Sequence, residues 1–209
     1  MARDTVILLH GLGRTRGSMA WAARRLRREG YRTIRIGYPS LKKPIEELAE
    51  HVASRLPDPG DGRLHFLTHS LGGIVLRCLV ALNRPEKLGR AVMLSPPNRG
   101  SAAATRLTNL PLYQWIIGPA GQQLGNDGDA VPVRLGPVDF EVGVIAGNRA
   151  LTPLSLFLPG ANDGVVTVEE TRVEGTADFR VIRRGHTFIM NSSEVLEQAA
   201  HFYRTGKFK

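Results

Sequence analysis

Short apolar runs alternate along the chain with segments whose apolar residues recur every three or four positions. The first pattern is typical of buried strands, and the second is typical of helices that bury one face. The strands predicted in this way are Thr5–Leu9, Arg32–Gly37, Leu64–Leu67, Arg90–Leu94, Phe140–Ala146 and Phe179–Ile182. The predicted helices are Ser18–Arg28, Pro44–Leu56, Ser70–Leu82 and Ser193–Tyr203. Because strands and helices alternate, we predict an α/β fold with a parallel sheet of about six strands flanked by helices.

Residues 96–138 interrupt this alternation. They contain many prolines and glycines around one short apolar segment, Leu110–Ile117. A stretch without its own strand–helix alternation is better explained as an insertion over the carboxyl edge of the sheet than as a second domain. We therefore predict a single domain over residues 1–209, with a lid-like insertion at 96–138.

The segment Thr68–Gly73 places a serine between the third predicted strand and the helix that follows it. A nucleophilic serine on such a turn needs small residues two positions before and after it, because bulkier ones would clash with the adjoining strand and helix. Gly72 meets this requirement, and Thr68 stands where glycine is usual. Ser70 is therefore the candidate nucleophile.

A serine hydroxyl needs a general base, and a base within reach of Ser70 has to follow a strand at the carboxyl edge of the sheet. Of the six histidines, His186 alone follows a late strand. His69 adjoins the nucleophile, but we expect its side chain to point away from the turn. The remaining histidines lie in the first loop, in helices or in a strand: His10, His51, His65 and His201. His186 is the candidate base.

The base in turn needs a carboxylate that orients it. Asp163 lies in the turn Asn162–Val166, in a loop that has no other acid and follows the fifth predicted strand. Asp-Gly turns are common in loops, so this assignment rests on position rather than on the turn itself. Weaker alternatives lie in the insertion or precede strands at the opposite edge: Asp127, Asp129, Asp139 and Asp178.

Two backbone N–H groups have to stabilise the oxyanion that forms when a serine attacks a carbonyl group. Leu71 directly follows the nucleophile at a predicted helix N-terminus, where the helix dipole favours negative charge. Leu12 lies in the glycine-containing loop His10–Gly13 after the first strand. The N–H groups of Leu12 and Leu71 are therefore the predicted oxyanion hole.

The chain resembles the α/β-hydrolase superfamily in four segments taken together. These are His-Gly-Leu-Gly at 10–13, Thr-His-Ser-Leu-Gly-Gly at 68–73, Asn-Asp-Gly-Val-Val at 162–166 and Gly-His-Thr at 185–187. They follow that family's order of serine, acid and histidine, and the resemblance is closest to small bacterial lipases and esterases. It implies a minimal α/β-hydrolase fold, without the family's first two strands, that cleaves carboxylic esters through an acyl-serine.

Several other functions remain open at this point. Acyl thioesterases and lipid deacylases share the same machinery, and a non-catalytic binding protein shares the fold. An oxidoreductase is disfavoured: Tyr38 and Lys42 have the spacing of short-chain dehydrogenases, but Pro39 makes that segment a turn, and no acid ends the second strand. We expect neither a cofactor nor a metal ion.

The substrate is expected to be a small-molecule or lipid acyl ester, with its acyl chain on apolar side chains near the site. Packing of the same side chains on the sheet as core is an equally open interpretation. The candidates are Leu107, Leu112, Trp115, Ile116, Leu154 and Phe157.

The net charge of +9 comes from 23 arginines and 5 lysines against 19 acids. Eight arginines and one acid, Glu29, lie between Arg14 and Arg35. A solvated helix face is the favoured explanation, and contact with an anionic membrane or an acidic substrate is the alternative. No nucleic-acid partner is expected, because these arginines are not interleaved with aromatic residues.

Cys78 is the only cysteine and lies in an apolar stretch, so we expect a buried thiol and no internal disulfide. With no signal peptide and no membrane span in the sequence, a cytoplasmic protein is expected, in peripheral contact with membrane if the basic face binds lipid. A removed leader would instead indicate secretion.

Overall fold

The computed structural model describes residues 3–102, 104–105, 111–150, 155 and 158–209, and at 111–116 it describes the backbone alone. Within these residues, six parallel strands form one sheet. The strands are β1 (Thr5–Leu9), β2 (Arg32–Ile36), β3 (Leu64–His69), β4 (Leu88–Leu94), β5 (Val142–Gly147) and β6 (Asp178–Ile182). Their order across the sheet is β2-β1-β3-β4-β5-β6. The predicted six-stranded parallel sheet is confirmed.

The helices of the described chain are α1 (Ala20–Arg28), α2 (Ile45–Ala53), α3 (Leu71–Asn83), α4 (Pro111–Gln122), α5 (Val131–Arg134) and α6 (Ser193–Thr205). Short 3-10 turns lie at Arg16–Met19 and His186–Asn191. The first helix begins later than predicted because Thr15, whose side chain accepts a hydrogen bond from the Gly17 N–H, caps the 3-10 turn that precedes it. The helices α4 and α5 belong to the insertion and have no clear sequence period.

The central strands β1, β3, β4 and β5 are largely buried on both faces, which explains their nearly continuous apolar sequences, whereas the edge strands β2 and β6 are partly exposed. In β1, Val6 and Leu8 face the layer of α1 and α6, whereas Ile7 and Leu9 face the layer of α2 and α3. The thiol of Cys78, on α3, is buried as expected, and burial raises its pKa to about 11. The two layers hold the sheet rigidly, so loops at its edge start from fixed positions.

The described end of the insertion is anchored on the start of α2. Helix α4 changes direction at Gly118, where φ is 63° and where a β-carbon would clash with the carbonyl oxygen of Leu41. The side chain of Gln123 accepts a hydrogen bond from the Ile45 N–H at 2.6 Å and donates one to Glu46 at 2.8 Å. The lid-like role of residues 96–138 stays a prediction, but this end of the insertion is packed on the domain.

Because all neighbouring strands are parallel, their carboxyl ends meet at one edge of the sheet. Open α/β sheets place their ligand sites at this edge, where loops from several strands converge. Throughout the described ranges, no helix has the length and apolar character that crossing a membrane requires.

Candidate active site

Ser70 lies between β3 and α3 in a backbone conformation that residues other than glycine rarely adopt, with φ 53° and ψ −123°. Gly72 lets α3 start close to β1, since a β-carbon there would lie 2.9 Å from the carbonyl oxygens of Leu9 and His10. Thr68, two residues before Ser70, is fully buried. The turn therefore has the strained geometry that presents a serine hydroxyl above the edge of the sheet.

His186 begins the 3-10 turn after β6, and its Nδ1 lies 2.8 Å from Oδ2 of Asp163. Their backbones are also joined, since the N–H of His186 donates to the carbonyl oxygen of Asp163 over 3.0 Å. The carboxylate therefore engages Nδ1, and Nε2 is the nitrogen that can accept a proton.

Asp163 is almost fully buried, with 2% of its surface exposed. Its Oδ1 accepts hydrogen bonds from the N–H groups of Val165 at 3.1 Å and Val166 at 2.9 Å. Burial acts to raise the pKa of Asp163, but the hydrogen bond and charge of His186, the Val166 N–H and the Ser95 hydroxyl together hold it below its ordinary value. The carboxylate is thus ionised at neutral pH.

Ser95 is a residue of this site that the sequence analysis does not single out. It directly follows β4, is fully buried and has a φ of 45°. Its Oγ accepts a hydrogen bond from the Gly147 N–H at 3.2 Å, and its hydroxyl acts to lower the pKa of Asp163. The one available signal in the sequence is the position of Ser95 directly after a strand, at the edge where the other site residues lie.

The expectation that the side chain of His69 points away from the turn is wrong. Its ring lines the same cavity as Ser70 and His186, and its centroid lies 4.9 Å from that of the His186 ring. Strand alternation sets a side chain's direction relative to the sheet, but it does not show that the loop after β6 folds over the end of β3.

His69 is a neutral hydrogen-bond donor in this position. Burial lowers its pKa well below the ordinary value, and the charges of His186 and Arg14 act in the same direction. Its Nε2 lies 3.0 Å from the carbonyl oxygen of His186, which can only accept, so Nε2 carries the hydrogen. The bond ties β3 to the loop that carries His186. In the described chain, Nδ1 of His69 has no hydrogen-bond partner.

A cavity of about 260 Å³ adjoins Ser70 and His186. The loop after β1 forms one wall through Gly11 and Leu12. Leu71 begins α3, so its N–H belongs to the first helical turn, whose N–H groups have no carbonyl partner within the helix. The remaining walls are largely apolar and include Pro97, Ala104, Ile117, Leu124, Val165 and Val166.

The six residues predicted to contact an acyl chain are not tested by this geometry. Leu107, Leu154 and Phe157 lie outside the described residues, and Leu112, Trp115 and Ile116 belong to α4 with side chains outside them. Their role stays a prediction. Ile117, from the same apolar segment, is buried and lines the cavity, so it belongs both to the core and to the site.

Asp139 and Asp178, two acids that the sequence analysis disfavours, have partners outside the candidate site. Asp139 pairs with Arg84, and Asp178 accepts a hydrogen bond from the N–H of Phe208 at the opposite edge of the sheet. The segment from Tyr38 to Lys42 is a turn. In the part of the chain that the structure describes, no group of three or more His, Cys, Asp or Glu is placed to hold a metal ion.

Comparison with known proteins identifies the same fold. A family model described as the alpha/beta hydrolase family matches residues 6–199. The Saccharomyces cerevisiae protein YDL109C, which is provisionally named a lipase, is 29% identical to this chain over 132 residues. The match spans 57% of this chain and only 20% of that protein.

Two solved structures extend the comparison. The mature Bacillus licheniformis lipase BlEst2 aligns with a TM-score of 0.71 at 19% identity, over 91% of this chain and 87% of that one. The metagenomic carboxyl esterase MGS0156 aligns with a TM-score of 0.69 at 18% identity, over 89% of this chain and 65% of that one. At these identities, the likeness concerns the fold.

Proposed function

The chain belongs to the alpha/beta hydrolase family, and on this premise we propose that it hydrolyses a carboxylic ester through an acyl-serine on Ser70. One observation carries the proposal: His186, with Asp163 at 2.8 Å from its Nδ1, lines the same cavity as Ser70. The lipase and esterase names of the similar proteins agree with this function.

The first half of the proposed reaction acylates the enzyme. Nε2 of His186 accepts the hydroxyl proton while Oγ of Ser70 attacks the carbonyl carbon of the ester. The backbone N–H groups of Leu12 and Leu71 stabilise the negative charge that develops on the carbonyl oxygen. His186 then donates its proton to the departing alcohol, and the acyl group stays on Ser70.

The second half hydrolyses the acyl-serine. His186 removes a proton from a water molecule, whose oxygen attacks the acyl carbonyl, and the same N–H groups stabilise the second oxyanion. The proton returns to Oγ of Ser70 as the carboxylic acid leaves. Asp163 stays ionised throughout and stabilises the imidazolium form of His186 in both halves.

The walls of the cavity favour an apolar acyl group. Ile117 and Leu124 are both less than a tenth exposed, and they line the cavity together with Val165 and Val166. Apolar walls around a few polar groups are typical of sites that bind an apolar substrate and orient its reacting atoms. The acyl-chain contacts predicted for Leu107, Leu112, Trp115, Ile116, Leu154 and Phe157 are part of this proposal.

The test is hydrolysis of p-nitrophenyl esters from acetate to palmitate by the wild type and by Ser70→Ala. We expect Ser70→Ala and His186→Ala each to lower kcat by about 10⁴-fold or more, because the nucleophile or its base is lost. Asp163→Asn should lower kcat somewhat less. The control Ser54→Ala removes an exposed hydroxyl at the end of α2 and should leave kcat unchanged.

Two results would contradict the proposal. Near-normal turnover in Ser70→Ala would exclude Ser70 as the nucleophile. Absence of turnover on every ester by a folded wild type, together with turnover of acyl thioesters, would make the protein a thioesterase with the same residues. The best chain length among the esters would in addition separate an esterase from a lipase.

A further inference from the structure

A second cavity, of about 510 Å³, opens beside the catalytic one at the carboxyl ends of β1 and β2. Four arginines line it, namely Arg14, Arg16, Arg35 and Arg55, and its lining includes no acidic residue. We refer to this cavity as the basic groove. Four guanidinium groups without a carboxylate create a strongly positive local potential, which attracts anions.

The arginines of the basic groove are available to a ligand. Within the described chain, none of the four pairs with a carboxylate; Arg35 donates to the carbonyl oxygen of Arg16, and Arg55 donates to the carbonyl oxygen of His51. Eight other arginines do form ion pairs: Arg25, Arg84, Arg90, Arg99, Arg134, Arg172, Arg184 and Arg204. The four guanidinium groups of the groove are therefore not neutralised by a carboxylate partner.

The groove is built on a rigid and uncharged wall. His10 stacks on Tyr38 with ring centroids 4.1 Å apart, and its Nε2 accepts a hydrogen bond from the Tyr38 N–H. Its Nδ1 lies 2.9 Å from the carbonyl oxygen of Gly11 and so carries the hydrogen. Burial lowers the pKa of His10, which is neutral in this pair of bonds. The charge of the groove thus comes from its arginines.

Arg14 connects the basic groove to the catalytic cavity, because it lines both. Its N–H donates to the carbonyl oxygen of Gly11 at 3.3 Å, which places it directly after the loop that carries Leu12. A ligand that spans the two cavities would therefore pass Arg14, with an acyl group near Ser70 and its other end among the arginines.

From these observations we infer that the basic groove binds the phosphate group of a phosphorylated acyl substrate whose scissile carbonyl lies at Ser70. Guanidinium groups bind phosphate through paired charge-assisted hydrogen bonds, and several of them without a carboxylate suit a group with more than one negative charge. The inference rests on the proposed function and adds a substrate class to it. A lipid head group and a soluble acyl carrier are both sources of such a phosphate.

The experiment compares two soluble esters that differ in one group, 1-hexanoylglycerol and 1-hexanoylglycerol 3-phosphate. The measured quantity is the ratio of kcat/KM for the phosphorylated ester to that for the neutral ester. We expect the double variant Arg14→Gln/Arg35→Gln to lower this ratio about tenfold or more, because two charge-assisted bonds are lost. In the wild type, about 0.5 M sodium chloride should also lower the ratio, because salt screens the groove.

Arg63→Gln is the matched control. It removes one arginine charge, as each single substitution of the double variant does, from an exposed position directly before β3 at the opposite edge of the sheet, and it should leave the ratio unchanged. Arg14→Lys keeps the charge but not the paired donors, and should give an intermediate ratio. Hexanoyl-coenzyme A, measured with the same variants, distinguishes the two sources of the phosphate. A loss of its kcat/KM in the double variant would indicate a soluble carrier, and an unchanged kcat/KM would indicate a lipid head group.

The phosphate site can be refuted while the proposed function stands. A ratio that is the same in the wild type and the double variant would overturn the phosphate site, even with Ser70-dependent hydrolysis of both esters. If no ester is hydrolysed, calorimetric binding of 1-hexanoylglycerol 3-phosphate to Ser70→Ala still tests the groove. Binding that is weakened about tenfold by the added Arg14→Gln/Arg35→Gln changes would support it, and equal binding would refute it.

Discussion

Asp163 receives hydrogen bonds from several directions, and these bonds hold its carboxylate ionised beside His186. Two come from the backbone N–H groups of Val165 and Val166, and the hydroxyl of Ser95 also acts to lower the pKa of the carboxyl group. Ser95 is itself held by the N–H of Gly147. Because each of these donors favours the charged form of Asp163, Ser95 acts on the base through the acid and is a positioning residue.

We predict that Ser95→Ala lowers kcat for p-nitrophenyl ester hydrolysis about tenfold without changing KM, because Asp163 orients His186 less firmly. The acidic limb of the pH profile of kcat should move to higher pH, because a carboxylate that has lost a hydroxyl donor stabilises the imidazolium form of His186 more strongly. Ser54→Ala is the control for loss of a hydroxyl. An acidic limb that does not move would show that Ser95 serves packing alone.

The sequence singles out candidate residues where a residue type, a place after a strand and an order along the chain agree. Ser70, Asp163 and His186 meet all three conditions, and the structure brings Asp163 and His186 into contact and Ser70 into the same cavity. Ser95 and His69 could not be assigned in this way, because their contacts depend on loops from other strands that fold over them.

At the scale of elements, β3, the turn at Ser70 and α3 form one unit whose geometry depends on how closely α3 approaches β1. Gly72 is the point of closest approach, since a β-carbon there would lie 2.9 Å from two backbone oxygens. Backbone atoms of a buried strand cannot move aside as the end of a flexible side chain can, so any added atom has to displace the helix.

We predict that Gly72→Ala lowers the free energy of unfolding by about 1–3 kcal/mol, because the methyl group forces α3 away from β1. It should also lower kcat, since the displaced helix carries the N–H of Leu71. Urea unfolding and ester kinetics measure the two effects. Gly128→Ala is the matched control, because a β-carbon at Gly128 meets open space, and its stability should stay within about 0.5 kcal/mol of the wild type. Equal stabilities of the two variants would contradict the prediction.

Elements with a clear period could be predicted, and elements without one could not. The six strands stand close to where the sequence predicts them, and the pattern is clearest in the four central strands, which are largely buried on both faces and therefore mostly apolar. The insertion lacks such a period. Helix α4 bends at Gly118 to fit against Leu41, and α5 is a single turn, so both owe their shape to tertiary contacts.

The whole molecule encloses three histidines whose neutral form is favoured by burial. Burial lowers the pKa of His10, His65 and His69, and for His69 the lowering is large. For His65, Asp4 and the Arg90 carbonyl oppose the effect without cancelling it. In the unfolded chain each histidine binds a proton near pH 6.5, so below that pH the unfolded state holds more protons than the folded state.

Stability should therefore fall as the pH falls below about 6.5, because protons favour the state that binds more of them. Each histidine contributes a slope of at most about 1.4 kcal/mol per pH unit between its unfolded and folded pKa, so the three together contribute at most about 4. Asp163, whose folded pKa is lowered, adds a further loss only at more acidic pH. Urea unfolding followed by fluorescence at about pH 7.5, 6.5 and 5.5 measures the slope directly.

His69→Asn should reduce this slope by up to about 1.4 kcal/mol per pH unit, because it removes one proton from the difference between the two states. Thr68→Val is the matched control at the neighbouring position. The Thr68 hydroxyl is buried with no hydrogen-bond partner among the described residues, and neither threonine nor valine is titratable. The slope of stability against pH in Thr68→Val should therefore equal that of the wild type. A flat stability between pH 7.5 and 5.5 would mean that the buried histidines gain a proton in the folded state as readily as in the unfolded chain. In that case His69 would be charged beside His186, and its bond to the His186 loop would strengthen as the pH falls.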